Sequence, residues 1–328
     1  MIRDGILNID KPAGWTSHDV VAKIRGLLRI KKVGHAGTLD PEATGVLPIC
    51  FGKGTKVVPF LMDAEKEYDA VLRLGEETDT QDATGKVLKT VDIPAGMAAQ
   101  VRETAESFVG TYAQMPPMYS AIKVKGVPLY RSARAGEVVE RTARTVSIRE
   151  IRFNGFEGRD ASFSVVCSKG TYIRTLCADI GEKLGVGGHL LRLRRTRAGQ
   201  FPIVDSVELN RFCELYAEGD WEKEVYSLNE VLKDLPAVWV KEPYREKVLH
   251  GAPIGPEGVL NRSSFKKGEP LRILDPEGRL LAIGRAVMNE DEVRENRQSF
   301  FKSETVLSDL SKPEVGAGVE GSIRSSLY

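Results

Sequence analysis

Cysteine and histidine are scarce in this chain, four of each in 328 residues. Cys50, Cys167, Cys177 and Cys213 form no C-x-x-C pair, and no histidine stands at zinc-ligand spacing from any of them. That pattern argues against a disulfide framework or a structural zinc site and predicts free, mostly buried thiols in a reducing compartment. His18, His35, His189 and His250 are scattered, with no H-E-x-x-H among them. No stretch approaches ~18 consecutive apolar residues, and the start of the chain lacks a basic-then-apolar signal. The expectation is a cytoplasmic protein with no membrane attachment and no metal. A surplus of either charge sign is also missing: 47 Lys and Arg face 46 Asp and Glu. Any nucleic-acid site must therefore be a local basic patch.

What is present is ordinary for a globular protein, 41% hydrophobic and 28% charged residues, in a chain long enough for one large domain plus a smaller one. Gly5 to Asp10 reads as a strand and Lys11-Pro12-Ala13-Gly14 as a turn. Thr16, Ser17 and Asp19 are cap residues for a helix from Val20 to Leu28, in which Val20, Val21, Ile24, Leu27 and Leu28 recur at helical spacing. Tyr68 to Leu74 and Ala161 to Cys167 alternate as strands. Val101 to Val109 and Tyr172 to Leu184 read as helices, and Gly75 to Gly85 as a loop. Strands and single helices in mixed order predict an α+β domain over 1–235. From Pro236 to about 288, short apolar runs are broken by Gly and Pro. Asp275-Pro276-Glu277-Gly278 is a hairpin turn between two of those runs. This predicts a small β domain, followed over 289–328 by a polar, flexible tail.

Several chemical motifs fail on inspection. Gly52-Lys53-Gly54-Thr55-Lys56 is not a phosphate loop, because Gly54 follows the lysine and Leu47 stands where the first glycine belongs. Asp79 to Gly85 lacks the third oxygen ligand and the closing glutamate of a calcium loop. No G-x-S-x-G elbow exists. Asp40 remains. Asp before Pro41 is an ordinary way to open a helix, with the aspartate as N-cap and proline at the first helical position. Gly34, Gly37 and Gly45, with His35 and Thr38, instead make a glycine-lined polar loop around a carboxylate.

In that context Gly34-His35-Ala36-Gly37-Thr38-Leu39-Asp40-Pro41, continuing to Leu47, resembles the catalytic segment of bacterial tRNA pseudouridine synthases of the TruB family. Asn8-Ile9-Asp10-Lys11-Pro12 with Gly14 and Thr16-Ser17, then Lys66-Glu67-Tyr68, Pro116 to Lys123, Lys169 to Leu176 and His189 to Arg195 resemble further motifs of that family, in family order. The 236–288 segment is similar to the RNA-binding PUA domain that closes many of these enzymes. The resemblance implies a mixed, mainly antiparallel sheet flanked by helices, followed by a small β-barrel-like domain. It implies isomerisation of the T-loop uridine of tRNA, with no cofactor. Asp40 matches the nucleophile, Arg174 the arginine that holds it, and Tyr68 the aromatic that stacks on the target base. His35, Tyr172 and Leu193 match positions that contact the RNA, Asp82 a polar residue near the site, and Lys123 one within reach of a phosphate. The T-stem-loop of tRNA is the implied partner. The chain is expected to be a monomer with no obligate protein partner.

Each of these residues also has a plainer reading: Arg174 as a first-turn arginine in solvent, Tyr68 and Leu193 as core, and Asp82 as a solvated loop residue. Arg192, Arg194, Arg195 and Arg197, with Arg25, Arg29, Lys31 and Lys32, form either a phosphate-binding surface or a solvated charged face. Two other functional classes stand beside the isomerase. One is a tRNA-binding or folding protein without essential chemistry. The other is a carbohydrate enzyme using Asp79 and Asp82 as paired carboxylates.

Overall fold

The computed structural model describes residues 2–119, 123–124, 127–128, 139–294 and 299–307. The chain divides into two compact units, Met1–Ser227 and Leu228–Tyr328.

In the first unit, β1 (Gly5–Lys11) leads into α1 (Ser17–Leu28). Thr16 caps α1 with a reciprocal box. Its hydroxyl accepts from Asp19 N at 3.1 Å, and Asp19 Oδ2 accepts from Thr16 N at 2.9 Å. Val20, Val21, Ile24 and Leu28 form the buried stripe of α1. The chain continues through β2 (Val33–His35), β3 (Thr44–Phe51), β4 (Lys66–Leu74), α2 (Ala98–Glu106) and β5 (Gly110–Gln114). It then forms β6 (Arg144–Glu157), β7 (Asp160–Cys167), α3 (Ile173–Lys183), β8 (Gly188–Ala198) and α4 (Leu209–Glu218). The main sheet has the order Val207–Glu208, β1, β3, β8, β4, β7, β6, β5. The β1–β3, β8–β4, β4–β7, β7–β6 and β6–β5 pairs are antiparallel, and β3–β8 is parallel. The expected mixed, mainly antiparallel α+β architecture is therefore present.

The order of strands explains the site. β8, late in the sequence, is inserted between β3 and β4. It sets Arg195 opposite both Gly45 and Tyr68, and Leu193 opposite Ala70. One hydrophobic core joins the α1 stripe to Leu7 and Ile9 of β1, to Leu47, Ile49 and Phe51 of β3, and to Tyr68, Ala70, Leu72 and Leu74 of β4. The same core takes in Ile173, Leu176, Cys177 and Ile180 of α3. Cys50, Cys167 and Cys177 are buried free thiols, and Cys213 is a half-buried one. Burial pushes Cys50 up to about 12 and Cys167 up to about 11.

The second unit holds β9 (Ala237–Val240), α5 (Arg245–Leu249), β10 (Val259–Arg262), β11 (Pro270–Leu274), β12 (Leu280–Ala286) and β13 (Phe301–Val306). Its sheet order is β10, β9, β11, β12, β13. The β11–β12 hairpin turns on Asp275 as expected. Its buried carboxylate accepts from Glu277 N, Arg279 N and Arg279 Nε. Among the described residues these five strands form one open sheet. One expectation needs correction. Residues assigned to a flexible tail from Asn289 instead contribute a strand. β13 pairs with β12, and Phe300 and Phe301 are buried in the second core. Those two aromatics are the physical reason, since neither can be left in water without loss of apolar burial. Residues 308–328 of the expected tail lie outside the described residues. The boundary also falls earlier than Pro236. Arg272 donates to Asn229 Oδ1 and to the carbonyls of Lys233 and Leu235, which ties 228–235 to the β unit. Among the described residues no helix is long and apolar enough to cross a membrane.

Candidate active site

Asp40 sits in a turn, not at the start of a helix. The chain runs from β2 through residues 36–43 directly into β3, and Ala43 N donates to the Asp40 carbonyl at 3.1 Å. The Asp-Pro pair therefore does not cap a helix. Gly45 explains why. It holds φ +103° as the chain enters β3, and a Cβ there would lie 2.2 Å from the Arg195 carbonyl oxygen. Only glycine lets β3 and β8 approach at this point.

The turn is anchored at three places. The Ser17 hydroxyl donates to the Leu39 carbonyl at 3.1 Å and accepts from Leu39 N at 2.9 Å. Lys11 Nζ, fully buried, donates to the carbonyls of Pro12 (2.9 Å), Trp15 (2.6 Å) and Pro41 (2.8 Å). All three protons of its ammonium are thus used. Burial brings the Lys11 ammonium down to about 8, against the raising effect of Glu42 and Asp40. On the other side, Arg195 donates through Nη2 to the Gly37 carbonyl (3.0 Å) and through Nη1 to that of Thr38 (3.5 Å). Sequence reasoning did not single out Lys11, Ser17 or Arg195 for these roles. Ser17 was taken for a cap residue and Arg195 for a surface cation.

Arg174 lies in the first turn of α3, yet it is 6% exposed rather than solvated. Its Nη2 donates to Asp40 Oδ1 at 3.1 Å and to the Tyr119 carbonyl at 2.9 Å, and its Nη1 to Asp82 Oδ2 at 3.4 Å. Among the described residues its Nε is buried without a partner. The guanidinium thus spans two carboxylates and a carbonyl from three different segments. Asp82 is not a solvated loop residue. Its Oδ1 accepts from the hydroxyls of Thr80 (2.7 Å) and Thr84 (2.6 Å) and from Thr84 N (3.0 Å), which leaves Oδ2 for Arg174. Asp79 is similarly committed, accepting from Lys86 N at 2.8 Å. The two carboxylates that a carbohydrate enzyme would need are thus both committed to shaping one loop.

The Asp40 carboxyl is pushed above its ordinary value by burial. Arg174 opposes that push, Asp82 adds to it, and Lys11 opposes it. About 42% of the side chain still faces solvent, so the carboxyl lies at the floor of an open recess. Tyr68 is 9% exposed on the face of β4 shared with Ala70, Leu72 and Leu74, directly opposite Arg195 across the β8–β4 ladder. Burial raises its phenol and the charge of Arg195 lowers it. Leu193 packs partly buried against the same core.

His35 stacks edge-on against His18 with ring centroids 5.6 Å apart. Burial, followed by His18 and Arg195, lowers its imidazole to about 4, so it is neutral at pH 7. Among the described residues its Nδ1 is buried without a partner. Tyr172 is the N-cap residue of α3, clamped by Gln114, whose Oε1 accepts from Tyr172 N (2.8 Å) and whose Nε2 donates to the Tyr172 carbonyl (3.0 Å). The Lys123 side chain lies outside the described residues.

The arginines of β8 do not form one surface stripe. Arg195 is 1% exposed. Arg194 pairs with Asp10 at 2.6 Å and Arg197 with Glu67 at 3.2 Å, and only Arg192 is fully exposed. Register shifts at Leu190/Arg192 and Arg195/Arg197 break the alternation that the sequence suggests. The other basic group holds better. Arg25 bonds the Val33 carbonyl, but Arg29, Lys31 and Lys32 join Arg3, Lys53 and Lys56 around a cavity of ≈ 570 Å³ near the Phe51 end of β3. Asp4 is its only acidic lining residue, and its Oδ1 already accepts from Lys53 N.

Comparison with known proteins agrees with this constellation. The TruB family pseudouridylate synthase N-terminal domain matches residues 25–173, the tRNA pseudouridylate synthase B C-terminal domain residues 174–238, and the PUA domain residues 236–298. The chain is 43% identical to tRNA pseudouridine synthase B of Syntrophotalea carbinolica over 298 residues, covering 90% of this chain and 96% of that protein. It is 44% identical to the protein of the same name from Pseudomonas putida strain F1, covering 85% and 90%. Among solved structures, a chain of an H/ACA ribonucleoprotein bound to a substrate RNA containing 2′-deoxyuridine superposes with a TM-score of 0.73 at 30% identity, covering 93% of this chain and 85% of that one. On these grounds the chain belongs to the TruB family of pseudouridylate synthases.

Proposed function

We propose that this enzyme converts the T-loop uridine of tRNA to pseudouridine, with Asp40 as the nucleophile on a base turned out of its stack. Its relatives bear the name tRNA pseudouridine synthase B. The rearrangement breaks the N1–C1′ bond, turns the base and joins C5 to C1′. The proton lost from C5 is matched by one gained at N1, so the product is an isomer and no electrons are exchanged. A carboxylate can supply the electron pair for a transient covalent adduct. The observation that carries the reading is Asp40 on an open recess, held at 3.1 Å by an arginine that is itself buried and cross-braced by Asp82.

Arg174 favours the ionised carboxylate and aims it, while burial keeps it poorly hydrated and so reactive. Tyr68 and Leu193 supply an aromatic and aliphatic wall for a flipped base, and Tyr68 is the residue assigned to the C5 proton. A neutral His35 can enter RNA without carrying a charge into the stack. The stem-loop itself is a folded RNA, recognised by backbone and shape. The cluster of Arg29, Lys31, Lys32 and their neighbours supplies cations for phosphates on a chain of net charge +1. A protein that only bound or folded tRNA would have no use for a poorly hydrated carboxylate anchored in this way.

The test is release of tritium from tRNA carrying 5-tritiated uridine. Asp40→Asn should abolish release while tRNA binding stays within about threefold of normal. Release at near wild-type rates by this variant would refute the assignment.

A further inference from the structure

We infer that Arg195 is a positioning residue that fixes the Asp40 turn onto β3 and β8, beside Tyr68, so that nucleophile and aromatic wall keep one separation. The inference rests on the functional reading above and adds to it a residue that does not touch the substrate.

Arg195 is among the largest fully buried side chains of the protein. A buried guanidinium ordinarily faces a carboxylate, because an uncompensated buried charge is costly. Arg195 forms no ion pair among the described residues. Its donors go to neutral oxygens instead: Nε to the Val46 carbonyl (2.7 Å), Nη2 to Gly37 (3.0 Å) and Nη1 to Thr38 (3.5 Å). Two of these carbonyls lie within three residues of Asp40, and the third lies in β3 just beyond the same turn. One planar fork therefore joins the turn bearing the nucleophile to the strand leaving it, while the β8–β4 ladder sets Arg195 directly opposite Tyr68.

Two further features fit this role. Gly45 exists at the one point where a Cβ would strike the backbone of Arg195 itself, so β8 is drawn close enough for the side chain to reach beneath the turn. The charge of Arg195 also reaches the site: it favours the ionised phenol of Tyr68 and the neutral forms of Lys11 and His35. A residue serving only to fill space would be served by leucine or methionine, without the desolvation penalty.

Holding the Tyr68 ring and the Asp40 carboxylate at a fixed separation matters most at the crowded step, when the base is both stacked and covalently bound. Loosening either by about 1 Å is enough to lose roughly a hundredfold in rate. Loss of Arg195 should thus fall on kcat and leave RNA affinity nearly unchanged.

The experiment compares the full-length protein with Arg195→Met and Arg195→Lys in steady-state and single-turnover pseudouridine formation on tRNA. Arg195→Met, nearly isosteric but without donors, should lose about a hundredfold or more in kcat with KM for tRNA within about threefold. Arg195→Lys keeps the charge and some of the donors and should recover about tenfold of that loss. If Arg195→Met does not fold cooperatively, the Lys variant decides: an unchanged kcat, or a loss confined to KM, overturns the inference. An unchanged kcat in a folded Met variant overturns it as well. A wild-type protein that forms no pseudouridine overturns the functional reading itself, whereas normal wild-type activity with silent Arg195 variants overturns this inference alone.

Discussion

Replacing Arg174 by methionine should move the rise of activity with pH upward by about one unit, beyond its effect on the plateau. The Asp40 carboxyl is already above its ordinary value because burial outweighs the attraction of Arg174 and Lys11. Only the ionised carboxylate can attack, so activity is lost as pH falls through that raised value. At 3.1 Å the gross attraction of Arg174 for Asp40 is ~5 kcal/mol at an effective dielectric of ~20. Since 42% of the Asp40 side chain still meets solvent, screening leaves ~1–2 kcal/mol, or about one pKa unit. Losing that attraction favours the protonated form, and the rising limb shifts to higher pH. The plateau should fall by about 100-fold as well, because no other donor among the described residues aims the carboxylate. Arg174→Lys separates the two effects. It keeps a positive charge, so the limb stays near its wild-type position. A single ammonium cannot span Asp40, Asp82 and the Tyr119 carbonyl, so the plateau still drops. Single-turnover tritium release measured from pH 5 to 9 reads both quantities. A Met variant whose limb stays in place or moves to lower pH would refute the electrostatic reasoning.

Gly45→Ala should lower the stability of the first unit by about 3 kcal/mol or more, because the site combines φ +103° with a backbone oxygen 2.2 Å from the new methyl. Gly37→Ala, at φ +116° but with only an Arg195 side-chain nitrogen 3.5 Å away, should cost about 1 kcal/mol, and urea titration distinguishes the two. Asp179 has its carboxyl raised to about 6, chiefly by burial and then by Glu182. A raised carboxyl contributes stability that is fully present below its unfolded value near 3.8 and is lost as pH rises through about 6. Asp179→Asn should therefore gain about 1–2 kcal/mol at pH 8 and almost nothing at pH 4, after allowance for its partial exposure. Equal gains at both pH values would contradict the assignment.

Much of the fold was legible because its signals are local. The Thr16–Asp19 box and the four buried positions of α1 lie within one thirteen-residue window. The alternation of Tyr68, Ala70, Leu72 and Leu74 likewise places Tyr68 on the core face without reference to any other strand. Asp40 and Arg174 were legible through family motifs, yet their separation of 134 positions hides the contact from any local rule. What was misread depended on long-range pairing. Four arginines within six positions of β8 look like a solvated face, but one is sealed beneath a turn whose carbonyls come from 149 to 158 positions earlier in the chain. Asp40-Pro41 looks like a helix start because its neighbourhood does not reveal that Gly45 must enter a strand beside β8. Phe300 and Phe301 follow a polar stretch, so their strand was taken for tail until β12 supplied its partner.

The most direct test of the central claim is to map pseudouridine at single-nucleotide resolution in an unmodified tRNA transcript before and after incubation with this protein. The account predicts one new pseudouridine, at the T-loop uridine, formed without added cofactor by the wild type and absent with Asp40→Asn. Modification at the same position by the Asp40→Asn protein, or no pseudouridine at that position with the wild type, would contradict it.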